Sequence, residues 1–364
     1  MAVYAKTPGR AMGSAPKADA QREQWADVAR GMGIIAVVAG HTFAPTSNAT
    51  QWIFAFHMPL FFVLSGYFFS VRGGFKVTAA RRAKALLVPY VATVAIYLIY
   101  TVLVLGRPQT IEPWVASMMY ASGKEIHQFP GIEPIGPMWF LPALFAASLI
   151  AYGIERMPGS WAGKLLGIAL AVAAGMAIGQ YIFLPFSIDV ALVVQIYLFF
   201  GLAARRQQWM DSVQRLALAK WLLLGLCAIA LVVERYDVVT SLNNRDYRHF
   251  AVQVAGAIGG SVLVIWAARV IARHRPAAVP FAYIGRAAIV ILCFHVVDTG
   301  YAQFNRLPGF DVVEGNLWLH IAFRIAFSLA LYEAFRRLPA LRWCYGLSAP
   351  RRSLSGALLR WAWR

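Results

Sequence analysis

Stretches of roughly twenty mainly apolar residues recur along this 364-residue chain, and each is long enough to cross a hydrocarbon core of about 30 Å as a helix. About ten can be laid out, at 26–45, 53–71, 84–105, 137–155, 163–182, 187–204, 217–234, 250–271, 284–301 and 317–335. Backbone groups in lipid must be satisfied internally, so runs of this kind imply an all-α, polytopic membrane bundle of about ten transmembrane helices. Composition agrees. Only 14% of residues are charged and 60% are hydrophobic, against the roughly one-quarter charged of soluble domains. The 12 Trp, 15 Tyr and 23 Phe exclude a solvated, disordered chain.

The net charge of +18 would suit nucleic acid or an anionic membrane surface. Its distribution favours the membrane, because the basic residues cluster in short stretches between apolar runs and no nucleic-acid-binding motif accompanies them. With the N-terminus inside, alternate segments hold 27 Lys and Arg on the inner side and 6 on the outer side. That asymmetry predicts both termini cytoplasmic and an even number of spans. The expected organisation is a cytoplasmic N-terminal tail at 1–24, a membrane domain at 25–336 and a basic cytoplasmic tail at 337–364. The proline-rich connection 106–136 cannot form one helix. It is expected to carry an interfacial helix around 113–121, with Trp114 and Tyr120 at headgroup level. Cys227, Cys293 and Cys344 have no metal-ligand or CxxC spacing and read as small buried hydrophobes.

The first apolar segment carries Asp27, Arg30 and His41. Eleven residues separate Arg30 from His41, about three helical turns, which puts both on one face about 16 Å apart. Asp27 lies at the i, i+3 spacing that permits an ion pair with Arg30. Gly31, Gly33 and Gly40 let neighbouring helices approach the backbone. A histidine inside a span is costly unless paired or lining a cavity, so His41 is either a functional residue or a satisfied core imidazole.

Further along come His57-Met-Pro-Leu-Phe-Phe-Val-Leu-Ser65-Gly-Tyr, then Arg81-Arg82-Ala-Lys84 before Pro89-Tyr90, then Met138-Trp139-Phe-Leu-Pro-Ala-Leu-Phe, and finally Tyr283-Ile-Gly-Arg with His295. Together with Asp27-x-x-Arg30-Gly and Gly40-His41, this order resembles the acyltransferase-3 family of integral-membrane O-acyltransferases, in particular its fucose 4-O-acetylase and exopolysaccharide acetyltransferase branch. The late segment departs from the pattern at Arg286 and Ala288, where many relatives carry Ser. The resemblance implies transfer of an acyl group, usually acetyl, from cytoplasmic acyl-CoA to a sugar hydroxyl of a lipid-linked or exported surface polysaccharide. Acetyl-CoA would be the donor and no metal is expected. Partners would be the glycan acceptor, membrane lipids and other glycan-assembly proteins, with no nucleic acid.

Acyl transfer to a hydroxyl needs a base, donors for a developing oxyanion and an anion site for the coenzyme's phosphates. His41 suits the first task, either as general base or as a covalent acyl acceptor. Arg30, fixed by Asp27, suits the phosphates, and the two would bracket an extended coenzyme arm. Arg81, Arg82 and Lys84 fit coenzyme binding by charge and side, and equally fit the inner-loop excess found in any such protein. His57, Ser65, Trp139 and His295 are candidates for acceptor contact. For each there is a plain alternative: a helix start before Pro59, close helix packing at Ser65-Gly66, a belt aromatic and a structural histidine. His295 and Asp298 sit one turn apart and could pair. Arg324 has no acid nearby in its own segment and needs a partner on another helix or water, and Asp189 is expected to reach water. A transporter or flippase of lipid-linked glycans would share many of these features, although no inverted repeat is visible. A non-catalytic scaffold for glycan assembly is a third reading.

Overall fold

The computed structural model describes residues 15–71, 73–126, 132, 134–209, 217–237, 242–300, 304 and 308–349. The expected tails fall largely outside these residues, at 1–14 and 350–364, although the first helix already begins at Ala15. Among the described residues the elements are all helical. In chain order they are α1 (Ala15–Gly40), α2 (Asn48–Tyr67), α3 (Gly74–Leu103), α4 (Ile111–Tyr120), α5 (Phe140–Arg156), α6 (Trp161–Gly179), α7 (Ile188–Val193), α8 (Gln195–Arg206) and α9 (Ala217–Asp237). There follow α10 (Phe250–Ile271), α11 (Arg275–Arg286), α12 (Ala288–Phe294), α13 (Val297–Gly300), α14 (Phe310–Gly315), α15 (Leu317–Arg337) and α16 (Pro339–Cys344).

Among the described residues six helices are long and apolar enough to cross a membrane, or up to eight if each of two bent pairs counts as one span. The expected count of about ten is not confirmed by these residues. One reason lies in α1, whose apolar half is preceded within a few turns by Glu23, Asp27 and Arg30. The bent pairs are α7–α8, at 56°, and α11–α12, at 55°. The second replaces the straight span expected at 284–301. Large side chains such as Leu103, Leu166, Leu170, Trp221, Leu226 and Ile229 stand exposed on the outer faces of α3, α6 and α9, as lipid-facing residues must.

Lipid tails are as apolar as the side chains they replace, so helices associate chiefly where small residues permit close approach. α1 is the axis of the bundle and packs against α2, α10, α11, α12 and α15. Gly31 and Gly285 make the α1–α11 crossing possible: a methyl group on either would overlap the backbone carbonyl of Phe281 or Asp27. Gly66 and Gly201 do the same for α2 against α8, which bears out close packing at Ser65-Gly66. α2 begins at Asn48, where the Ser47 hydroxyl caps the Thr50 amide at 3.2 Å. Pro59 is thus internal to α2 rather than at its start, and His57 lies mid-helix.

Candidate functional site

α1 connects two groups of polar residues at opposite ends of the bundle. Near its first half, Asp27 accepts from Arg30 at 2.7 Å, as the i, i+3 spacing predicts. A cavity of about 550 Å³ there is lined by Arg30, Ser65, Arg81 and Arg82. Arg82 donates to the Ser65 hydroxyl at 3.3 Å, and Arg81 to the Ser70 carbonyl at 3.2 Å. Ser65 therefore belongs with the arginines and not with the other acceptor candidates. Lys84 departs from the expected cluster: its ammonium lies over the Trp343 ring at 5.5 Å and does not line this cavity. Two residues on from Arg82, helical geometry turns it toward α16.

At the other end His41 follows the last residue of α1, its amide still bonded to the Val37 carbonyl at 3.1 Å. Its exposure opens into two adjoining cavities of about 380 and 650 Å³, which share His41, Gly123, Pro137, Trp139 and Asn243. His57 lines the smaller one, and its Nδ1 donates to the Ile53 carbonyl at 3.0 Å. Phe54 separates the two imidazoles, 5.7 Å from His41 and 4.9 Å from His57 between ring centroids. Trp139 is buried and lines both cavities, so it faces the site rather than a membrane interface. Trp114 likewise lines the larger cavity, and α4 forms where expected.

His295 is buried and its ring lies 5.2 Å from His41. A carbonyl can only accept, so the contacts of its Nδ1 with the carbonyls of Ile291 (2.9 Å) and Leu292 (3.1 Å) fix the proton there. Its Nε2 keeps a lone pair with no hydrogen-bond partner. The Tyr97 hydroxyl holds the preceding turn by donating to the Cys293 carbonyl at 2.6 Å. The expected His295–Asp298 pair does not form. Asp298 instead accepts from Arg324 at 3.0 Å and pairs with His320, because the end of α12 turns it toward α15. Arg324 thereby finds the partner its burial demands and also donates to the His41 carbonyl (2.8 Å) and the Thr42 hydroxyl (3.0 Å). It caps the C-terminal end of α1, where helix carbonyls lack internal donors. Asp189 does not reach water: it is fully buried against Arg245, with the guanidinium Nε 2.7 Å away. This pair braces the 242–244 turn, whose Asn243 accepts from the Gly123 amide at 3.1 Å and so ties two walls of the His41 cavity together.

The basic cavity and the histidine cavities share no lining residue. Between them the Phe61 ring lies against Gly33 of α1 and 5.9 Å from Phe140. Both rings line the basic cavity. Among the described residues no group of three or more His, Cys, Asp or Glu is arranged to hold a metal.

A multi-span helical protein with an imidazole pair in a sheltered cavity has the parts for proton-coupled group transfer inside a membrane. The family model described as an acyltransferase domain matches residues 23–332, and the chain belongs to that acyltransferase-3 family. It is accordingly a membrane acyltransferase. No curated protein and no solved structure matches the chain.

Proposed function

We propose that the protein moves an acyl group, most simply acetyl, from cytoplasmic acyl-CoA to a sugar hydroxyl of a lipid-linked or exported surface polysaccharide at the bacterial inner membrane. One observation carries the reading: His41 opens into a sheltered cavity beside a second imidazole with a bare Nε2, while three arginines gather about three helical turns back along α1.

Arg30, Arg81 and Arg82 supply charge-assisted donors for coenzyme phosphates. The thioester arm runs along α1 toward His41, over about 16 Å of helix rise. The acceptor hydroxyl gives its proton to an imidazole as its oxygen attacks the thioester carbonyl. The tetrahedral intermediate then collapses, the C–S bond breaks, and the departing thiolate takes that proton back. In the covalent variant the His41 ring receives the acyl group first and passes it on in a second step. Arg324 acts at one remove by holding the backbone that carries the ring.

Purified protein in lipid discs, given radiolabelled acetyl-CoA and candidate glycans, should form labelled ester, and His41→Ala at equal protein level should lower the rate about 10²–10⁴-fold. Retention of activity by that variant removes His41 from the chemistry, and absence of product from the unaltered protein with every glycan favours the transporter.

A further inference from the structure

Two arginines at the His41 end of the bundle have acidic partners, Arg245 with Asp189 and Arg248 with Asp246. Arg107 differs. It follows the end of α3 and lines the larger cavity, together with His41, Trp114 and Trp139. No Asp or Glu is among the residues lining that cavity, whereas the smaller one has Glu234 as well as Lys124. The backbone of Arg107 is held on both sides. Its amide donates to the Thr101 carbonyl at 3.1 Å, and its carbonyl accepts from the Thr110 hydroxyl at 2.8 Å and the Thr110 amide at 3.3 Å. Its guanidinium meets no carboxylate among the described residues. On the expected orientation this is the face where Lys and Arg are scarce, so the inner-loop excess does not explain a free arginine here.

A cavity wall that carries a cation and no acid to balance it is suited to an anion, and a guanidinium offers phosphate or carboxylate oxygens two parallel N–H donors. The surroundings favour an anion attached to lipid. Leu103, Val104 and Ile111 each lie within four residues of Arg107 and are 76%, 65% and 46% exposed, as lipid-facing side chains are. Arg107 therefore sits where the lipid-covered end of α3 gives way to the cavity wall. Resting on the acceptor reading above, we propose that Arg107 binds the phosphate of an acceptor sugar that is still joined to its lipid. The lipid chain lies against Leu103 and Val104, and the phosphate takes its donors from Arg107. The sugar enters the larger cavity with its C–H face on an indole ring and one hydroxyl turned toward His41. The acceptor is thus a lipid-linked phosphosugar, acylated while it is still on its carrier. In sequence Arg107 is a lone basic residue ahead of a proline, and nothing distinguishes it from part of an ordinary solvated turn.

The test uses the full-length protein in phosphatidylcholine discs with acetyl-CoA. The acceptors are neutral hexoses and 6-deoxyhexoses, each as the farnesyl phosphodiester, the farnesyl glycoside and the methyl glycoside, with methyl hexuronides beside them. For the unaltered protein the KM for the farnesyl phosphodiester should lie about tenfold or more below that for the farnesyl glycoside, as one charge-assisted contact warrants. Arg107→Gln should erase the difference by raising the KM for the phosphodiester, with the KM for the farnesyl glycoside and for acetyl-CoA unchanged, and Arg107→Lys should keep part of it. Esterification in which phosphate gives no advantage, or an advantage that Arg107→Gln leaves intact, overturns this site and leaves the proposed reaction standing. A preference for methyl hexuronides over methyl hexosides that Arg107→Gln abolishes puts the charge on the sugar and overturns the lipid-linked assignment. No ester from any of these acceptors with the unaltered protein removes the acceptor reading, and this site with it.

Discussion

At the scale of single residues the least replaceable group outside the imidazoles is the Arg324–Asp298 pair. Both side chains are buried, and Asp298 also serves His320. Breaking a buried pair leaves one charge without compensation, at a cost of about 3–5 kcal/mol, whereas replacing both partners with apolar groups is often close to neutral. Arg324→Met should therefore lower stability in detergent by about 3 kcal/mol or more, and Arg324→Met combined with Asp298→Leu should recover much of that loss in a double-mutant cycle. Activity should not recover with it, since the His41 carbonyl has lost its donor. Additive losses in the cycle would show that the two residues act independently. The sequence reveals that Arg324 needs a partner but not which one. Asp27 and Arg30 are legible because they sit one turn apart on one helix. Asp298 and Arg324 lie on different helices, and so do His41 and His295, and only the packing of α1 against α12 and α15 brings them together.

At the scale of elements, Phe61 packs on Gly33 and near Phe140, partway along α1 between Arg30 and His41. A thioester arm following α1 has to pass these rings, and apolar bulk beside the arm keeps water from it. Phe61→Ala should remove that bulk and raise hydrolysis of acetyl-CoA in the absence of acceptor relative to transfer in its presence. An unchanged ratio of the two rates would show that Phe61 is no barrier. Glycine positions in α1 make the close approach legible in advance, because only a missing side chain admits another helix there. The bends at Val194 and Ala287 are not legible in the same way. Neither break falls on Pro or Gly, and each apolar run reads as continuous, so the angle is set by what packs against it. Pro59 misleads in the opposite sense. It suggests a helix start, while the Ser47 cap fixes the start of α2 eleven residues earlier, at Asn48.

For the whole molecule, the chain's charge pattern and its two kinds of cavity make the same demand on orientation. The arginine-lined cavity lies near the middle of α1, the beginning of α3 and the end of α2, where the inner-side excess of basic residues is expected, while the histidine cavities open at the end of α1. Lipid-facing helices were legible from run length, because hydrocarbon thickness imposes it; the interior was not, because lipid-facing and buried apolar positions look alike in sequence. Lys76 is exposed at the start of α3 near the arginines, and Lys124 is exposed at the rim of the His41 cavity. In a protein with its native cysteines replaced, Lys124→Cys should react with a membrane-impermeant maleimide in intact spheroplasts, and Lys76→Cys only after permeabilisation. The reverse pattern would put the arginine cavity on the side where acyl-CoA is absent. Arg30, Arg81 and Arg82 would then have no coenzyme phosphates to hold, and the proposed direction of transfer would fall even if His41 proved essential.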